Sequence, residues 1–455
     1  MLLDVAVFAA SVSLSGVSEA FGVHEINNHV ISHVQQVDIA PVTVPDATRA
    51  AAHLTLAPVD PTLMPQLGGR NLLNQLTLLR PGEVASFVNH NPQTMTRLLA
   101  SATAREASAW WKVMSDARRL ELREAAPEFI GNLAGVPFEI RDSANRRYLR
   151  STIDDLQQRL DSGLGRAASA EVRDHLRTLE QIDQALQVNG SGPERSLVTL
   201  DTTYPGRAAI VTGDLATADY VSYLIPGMFF TIGGQGGDWA NTAGDLYNDQ
   251  TRWLEYFGQN DAKLATKTVA TVAWIGYETP HLLNVGSLDL ADQGAGYLTK
   301  AIEGLQAVRA GDLPFISVMA HSYGSTAAMI ALQQGSFQID ALVVVGSPGS
   351  AAQSVGELAV RDGNVYVGEA NWDPVVNTAF YGSDPGADSY GAYRMSVDGG
   401  IDPITSAPLA ASFGHNGYFD PGSESMRNMA LVGIGMGGFV TDGTASLPNQ
   451  MLAAR

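Results

Sequence analysis

No cysteine occurs anywhere in the 455 residues. That absence excludes disulfides, thiolate zinc sites, iron–sulfur clusters and a cysteine nucleophile together. Charge is also scarce, at 16% of residues, and positive charge scarcer still: 28 Lys and Arg against 47 Asp and Glu, a net of −19. Nucleic-acid backbones and anionic lipid surfaces therefore find no electrostatic reason to bind, and no nucleic-acid partner is expected. No apolar run approaches the ~20 residues that span a bilayer as a helix, so no transmembrane segment is expected. The stretch from Leu2 to Leu14 is apolar, but it carries Asp4 and no Lys or Arg precedes Arg49, so the basic leading region of an export signal is missing. A cytoplasmic protein is the expectation, with export as the open alternative. What is present is 45% apolar residues, enough for a folded globular chain. At ~100–200 residues per domain the length suggests two or three domains.

The charge divides unevenly. Residues 1–195 carry a net of −4 and residues 196–455 a net of −15. Residues 1–82, proline-containing over 35–82, read as an irregular N-terminal segment. Residues 83–192 read as a helical domain. Within it Leu149, Ile153, Leu156 and Leu160, then Val172, Leu176, Leu179, Ile182 and Leu186, recur at helical steps around Gly163 and Gly165, which predicts a helical hairpin. From 196 to 440 strand-length apolar runs at Val198–Asp201, Arg207–Gly213, Tyr220–Ile225, Val269–Ile275, Phe315–Met319, Ala341–Val345 and Val365–Gly368 alternate with helical patterns at Asp238–Phe257, Gly294–Val308, Ser325–Gln333 and Ala351–Leu358. That alternation predicts an α/β fold, a doubly wound and mostly parallel sheet opened by an antiparallel pair, with ligands at the carboxyl ends of its strands. Residues 441–455 read as a tail. His24, His29 and His33 complete no ligand spacing, and neither a metal nor a cofactor is expected.

The most informative segment is the strand that runs into Ala320-His321-Ser322-Tyr323-Gly324 and on into a small-residue helix. This is the Gly-x-Ser-x-Gly elbow with alanine in its first position. Residues larger than alanine at the outer positions would collide with neighbouring backbone, and the turn lifts the Ser322 hydroxyl above the sheet at the positive end of the next helix. In such folds the order is serine, acid, histidine. His281 precedes the serine and His321 lies inside the elbow, where it reads as packing, which leaves His415. The acid is expected at the carboxyl end of the strand 364–368, at Asp373. Glu369 sits nearer the strand, and Asp384, Asp388, Asp398 and Asp402 read as solvated loop residues. The oxyanion donors expected are the amides of Tyr323 and, in the loop after the third strand, of Met228. Phe229, Phe230, Trp239 and Trp372 are candidates for an apolar substrate pocket. The run Gly233–Gly237 lacks a phosphate-loop ending.

Leu224-Ile225-Pro226-Gly227-Met228, the elbow, Val344 to Gly349, Asp373-Pro374-Val375 and His415 ahead of Tyr418 to Ser425 together resemble an actinobacterial α/β-hydrolase family, as does the helical prelude from Trp110-Trp111 through Glu128–Pro137 and Arg141–Asn145. The resemblance implies the same triad of Ser322, Asp373 and His415, and a likeness to cutinases and small lipases. Ester hydrolysis is the expected chemistry, on a small-molecule or lipid-like ester. An acyltransferase with the same triad and a non-catalytic partner-binding or secretion-associated protein on a hydrolase scaffold are the alternatives. Trp110 and Trp111 admit two readings: filling the helical domain's own core, or packing over the catalytic rim.

Overall fold

The computed structural model describes residues 60, 62–80, 82–187, 192–203, 206–228, 232–280 and 285–444, with backbone alone for 232–235. Among these, helices come first. They are α1 (Gly69–Leu78), α2 (Glu83–His90), α3 (Pro92–Ser101), α4 (Ala104–Lys112), α5 (Asp116–Ala125), α6 (Pro127–Asn132), α7 (Phe138–Asp161) and α8 (Arg166–Ala185). The sheet region follows as β1 (Arg195–Asp201), β2 (Arg207–Gly213), β3 (Tyr220–Ile225), α9 (Ile232–Gly258), β4 (Val269–Ile275), α10 (Asp289–Val308), β5 (Phe315–His321), α11 (Tyr323–Gln333), β6 (Ala341–Val345), β7 (Val365–Gly368), β8 (Tyr393–Arg394) and α12 (Glu424–Gly433), with a small hairpin of β9 (Gly400–Ile401) and β10 (Pro408–Leu409).

One sheet runs β1-β2-β4-β3-β5-β6-β7-β8. β1/β2 and β2/β4 are antiparallel, and every later neighbour pair is parallel. Each residue of β4 and β6 is buried, as an apolar strand covered on both faces requires. The chain leaves β3 to one side for β4 and crosses to the other for β5. The carboxyl ends of β3 and β5 thus flank the crevice where ligands bind in such sheets.

The helices divide by what they bury. α1 to α6 enclose their own core, with Leu72, Leu73, Leu76, Trp110, Trp111, Phe129 and Ile130 at its centre. Trp111 is 3% exposed, and the Trp110 indole N–H donates to Thr77 at 2.8 Å. The tryptophans fill that core rather than covering a catalytic rim. α1 itself falls in the stretch expected to be irregular. Leu72, Leu73 and Leu76 face the core, and the prolines that suggested irregularity lie outside the helix, at Pro65 and earlier and at Pro81. The predicted hairpin is α7 and α8, but Leu149, Leu156, Val172, Leu179 and Ile182 share one core with β1, β2, α9 and α12, so it is part of the sheet's covering layer. The helical core docks on α10 through Ser108 Oγ–H to the Ala307 carbonyl and the Lys300 ammonium to Leu99 and Ala100 carbonyls.

Where β1 ends the sheet, side chains of the helices take the place of a further strand. Asn132 donates to the Leu200 carbonyl and accepts the Leu200 N–H, Asn145 donates to the Leu197 carbonyl, and Asp142 accepts the Leu197 N–H. Two other expectations fail. Ala351–Leu358 forms only a 3₁₀ turn at Val355–Glu357, and Ser350 just before it bridges to Ser383. Thr441 and Gly443 are not tail, since they bond to Ser396 and Arg394 at the far edge of the sheet.

Candidate active site

Ser322 stands between β5 and α11 with φ +53° and ψ −133°, a backbone region that costs a non-glycine residue ~1–3 kcal/mol and collects at functional sites. The crowding expected of the elbow is real. A Cβ on Gly324 would lie 2.3 Å from the Pro226 carbonyl oxygen, and one on Gly227 2.5 Å from Ser322 Cβ. The turn after β3 is thereby pressed against the elbow, and it carries the half-buried Met228. Tyr323 opens α11, so its amide lies at the positive end of that helix.

The loops after β7 and before α12 bring two side chains to this serine. His415 Nε2 is 2.8 Å from Ser322 Oγ, and His415 Nδ1 is 2.9 and 3.1 Å from the two Asp373 oxygens. An ionised Asp373 only accepts, so Nδ1 carries the proton and Nε2 is left to accept from the Ser322 hydroxyl. Asp373 also accepts the Val375 N–H at 2.9 Å and the Tyr418 hydroxyl at 2.6 Å. Burial pushes its carboxyl up, but the bonds and charge of His415, with Tyr418 and Val375, more than offset this and hold its pKa below the ordinary 3.8. The Asp373 side chain is fully covered and that of His415 is 14% exposed, so the group chain meets solvent at the imidazole. Gly346 makes room, since a Cβ there would lie 2.9 Å from Asp373 Oδ2 and 3.2 Å from His415 Cε1. An alcohol, an imidazole and a carboxylate so joined can pass the alcohol's proton to Nε2 while the new imidazolium is stabilised behind.

The other expected residues spread further. Trp372 adjoins Asp373 with φ +64° and is 79% exposed. Trp239 is buried, its N–H donating to the Leu224 carbonyl and its ring 5.0 Å from Phe419. Phe229, Phe230 and His281 lie outside the described residues. Glu369 pairs with Arg394 at 3.4 Å, yet burial and then Asp384 raise its pKa to about 7. Asp402, expected to be solvated, is 3% exposed and holds Arg427 at 3.0 Å. Tyr418 was not singled out from the sequence. It lies three residues after His415 in the 3₁₀ turn Gly417–Phe419, which folds its hydroxyl back onto Asp373 and the Ala370 N–H. A tyrosine one turn beyond a loop histidine was the available signal. The described residues hold no group of His, Asp and Glu able to take a metal ion, and no described helix is long and apolar enough to cross a membrane.

The fold, the elbow and the position of the crevice define an α/β hydrolase. A family profile described as alpha/beta hydrolase matches residues 201–396, and the chain belongs to that family. Its relatives include an uncharacterized protein of Mycobacterium bovis, 31% identical over 225 residues, 46% of this chain and 80% of that one. Another is an uncharacterized protein of Mycobacterium tuberculosis, 28% identical over 400 residues, 76% of this chain and 58% of that one. The chain thus spans little more than half the length of the latter relative. Among solved structures, a dienelactone hydrolase from Anabaena variabilis is 12% identical with a TM-score of 0.32, covering 55% of this chain and all of that one. An S-formylglutathione hydrolase from Agrobacterium tumefaciens is 11% identical with a TM-score of 0.33, covering 56% and 98%. Likenesses this distant carry no argument about activity.

Proposed function

We propose that this protein is a serine hydrolase of carboxylic esters, with Ser322 as nucleophile, His415 as general base and then acid, and Asp373 as the group that orients and stabilises the imidazole. One observation carries the reading: the Ser322 hydroxyl, on a strained strand-to-helix turn, 2.8 Å from a histidine whose other nitrogen is held by a buried carboxylate. His415 takes the Ser322 proton as Oγ attacks the ester carbonyl. The negative oxygen that forms is received by the amides of Tyr323 and Met228, each such donor supplying ~2.7–4 kcal/mol in the transition state. His415 then returns the proton to the departing alkoxide, and water, activated by the same imidazole, releases the acid from Ser322. The reaction needs no metal or organic cofactor. Trp372, exposed beside Asp373, offers its face to an apolar part of the substrate, with Phe229 as a further aromatic candidate, whereas the buried Trp239 is core.

The test is labelling of the full chain by a fluorophosphonate, followed by turnover of p-nitrophenyl esters of increasing chain length. Ser322→Ala is expected to abolish both while leaving the circular dichroism spectrum unchanged. Labelling that persists on another residue would overturn the assignment.

A further inference from the structure

We propose that His321 is a positioning residue for the base: its ring N–H grips the main-chain carbonyl of His415 and so fixes the loop that presents the imidazole to Ser322. This rests on the triad reading above and adds to it a role for a residue that reads from the sequence as packing.

The geometry is direct. His321 ends β5 and is 8% exposed. Its Nε2 lies 2.7 Å from the His415 carbonyl oxygen, and the two rings lie 4.7 Å apart, inclined at 40°. A carbonyl can only accept, so Nε2 carries the proton of that bond. The rings of Tyr418 and Phe419 close around the imidazole with centroids at 5.9 and 6.2 Å. Its other nitrogen faces the turn after β3, where a Cβ on Gly227 would come within 3.2 Å of Nδ1.

The loop needs such a grip. On the side leading into His415 it is held by Ser412 N–H to the Val397 carbonyl and by Gly414 N–H to the Asn371 carbonyl. Gly414 itself, at φ +66°, is a residue with wide backbone freedom. The His321 bond falls on the next residue, the base itself. Because His321 is the chain neighbour of Ser322, one side chain ties the peptide of the nucleophile to the peptide of the base. The distance between Oγ and Nε2 is then not left to the summed play of two long loops. The tie must also be neutral, since a second cation stacked on His415 would oppose the imidazolium that forms there. Burial first, and the neighbouring His415 next, push the His321 pKa from 6.5 to about 3. It therefore stays uncharged at any working pH.

The experiment compares three variants of the full chain by kcat per fluorophosphonate-titrated site, KM and Tm. His321→Phe keeps a flat ring and deletes the donor; kcat per titrated site is expected to fall about 10- to 100-fold with KM within twofold. His321→Gln keeps an N–H at the reach of Nε2 and is expected to restore at least half of that loss on a logarithmic scale. His321→Asn keeps a donor that falls short and is expected to behave as Phe. Should the Phe variant fail to fold, the Gln and Asn pair carries the comparison alone. Equal kcat per titrated site in Gln and Asn, or wild-type kcat in Phe, overturns the proposal, because ring volume or nothing at all would then be what matters. A wild-type protein that neither labels nor turns over ester overturns the triad reading, and the proposal with it.

Discussion

Replacing Tyr418 by Phe removes a single oxygen from a fully buried ring, and its cost can be worked from two bonds. The hydroxyl donates to Asp373 Oδ2 at 2.6 Å and accepts the Ala370 N–H at 2.9 Å. Burial and the adjacent Asp373 push its pKa far up, so it remains a donor throughout the working range. Losing a hydrogen bond to an ionised carboxylate costs about 1.5–3 kcal/mol, and leaving a buried amide without an acceptor costs about 1–3 kcal/mol. A loss of about 3–5 kcal/mol in unfolding free energy is expected, against about 5–15 kcal/mol for a typical domain. The sign of the pH dependence follows from the depressed pKa of Asp373. Its ionised form stabilises the fold above the ordinary carboxylate value, and that contribution is lost as pH falls through the lower folded value. Taking away one donor raises the folded value, so acid unfolding of Tyr418→Phe starts at a higher pH than in the parent. Val375 and His415 still hold the carboxylate, so kcat should fall only about tenfold. Urea unfolding at pH 7 and at pH 4, with ester turnover on the same preparations, measures all three. A stability change below about 0.5 kcal/mol with an unmoved acid midpoint would refute the reasoning, since it would mean that the bond to Asp373 is replaced without cost.

Asp373→Asn should keep the fold and lower kcat about 10³–10⁴-fold, because the amide holds the imidazole in the wrong tautomer; near-normal steady-state turnover would move the acid role elsewhere, with Glu369 the first residue to examine. Glu369 favours its protonated form in the fold, so its contribution to stability declines as pH rises from the ordinary 4.5 through about 7. Glu369→Gln should therefore gain up to ~3 kcal/mol over the parent at pH 8, less what Arg394 loses as a partner, and under ~1 kcal/mol at pH 5. Equal urea midpoint differences at the two pH values would contradict this. Expression of residues 192–444 alone should give insoluble protein, because Leu197, Leu200 and Ile210 lose the helices that bury them; a soluble, monodisperse fragment on size-exclusion chromatography would show that the hairpin is dispensable.

Local signals made the centre of the sheet legible. Tyr220–Ile225, Val269–Ile275, Ala341–Val345 and Val365–Gly368 occur as read, since strands buried on both faces show near-continuous apolar runs that need no partner to be recognised. β8 is two residues long and exists only because β7 offers it an edge, so nothing local marks it. The packing of the helical hairpin on the sheet escapes the sequence for a related reason. Leu149 and Leu156 announce an apolar face, but sequence does not say whether that face meets other helices or the sheet. At the candidate site, the elbow is a contiguous motif and its partners are constrained by chain order, and Ser322, His415 and Asp373 do lie together. Tyr418 and His321 act through contacts made by a returning loop, and both look like ordinary aromatic filling until that loop is in place. Trp239 and Trp372 looked alike in sequence and stand at opposite extremes of exposure.

The side chains that finish the sheet at β1 also set an order of events. Asn132, Asp142 and Asn145 precede Leu197 and Leu200 along the chain, so a ribosome delivers the cap before it delivers the edge. An edge strand born without its cover is a template for any other extended chain in reach. Here the growing chain already carries amide and carboxylate groups that match the Leu197 and Leu200 backbone, on helices that can form from local contacts. A circular permutant that begins at β1 and ends with the helices would have the same bonds in its final fold but would expose that edge throughout its synthesis. The cap on the sheet's open edge thus precedes, along the chain, the strand that it covers.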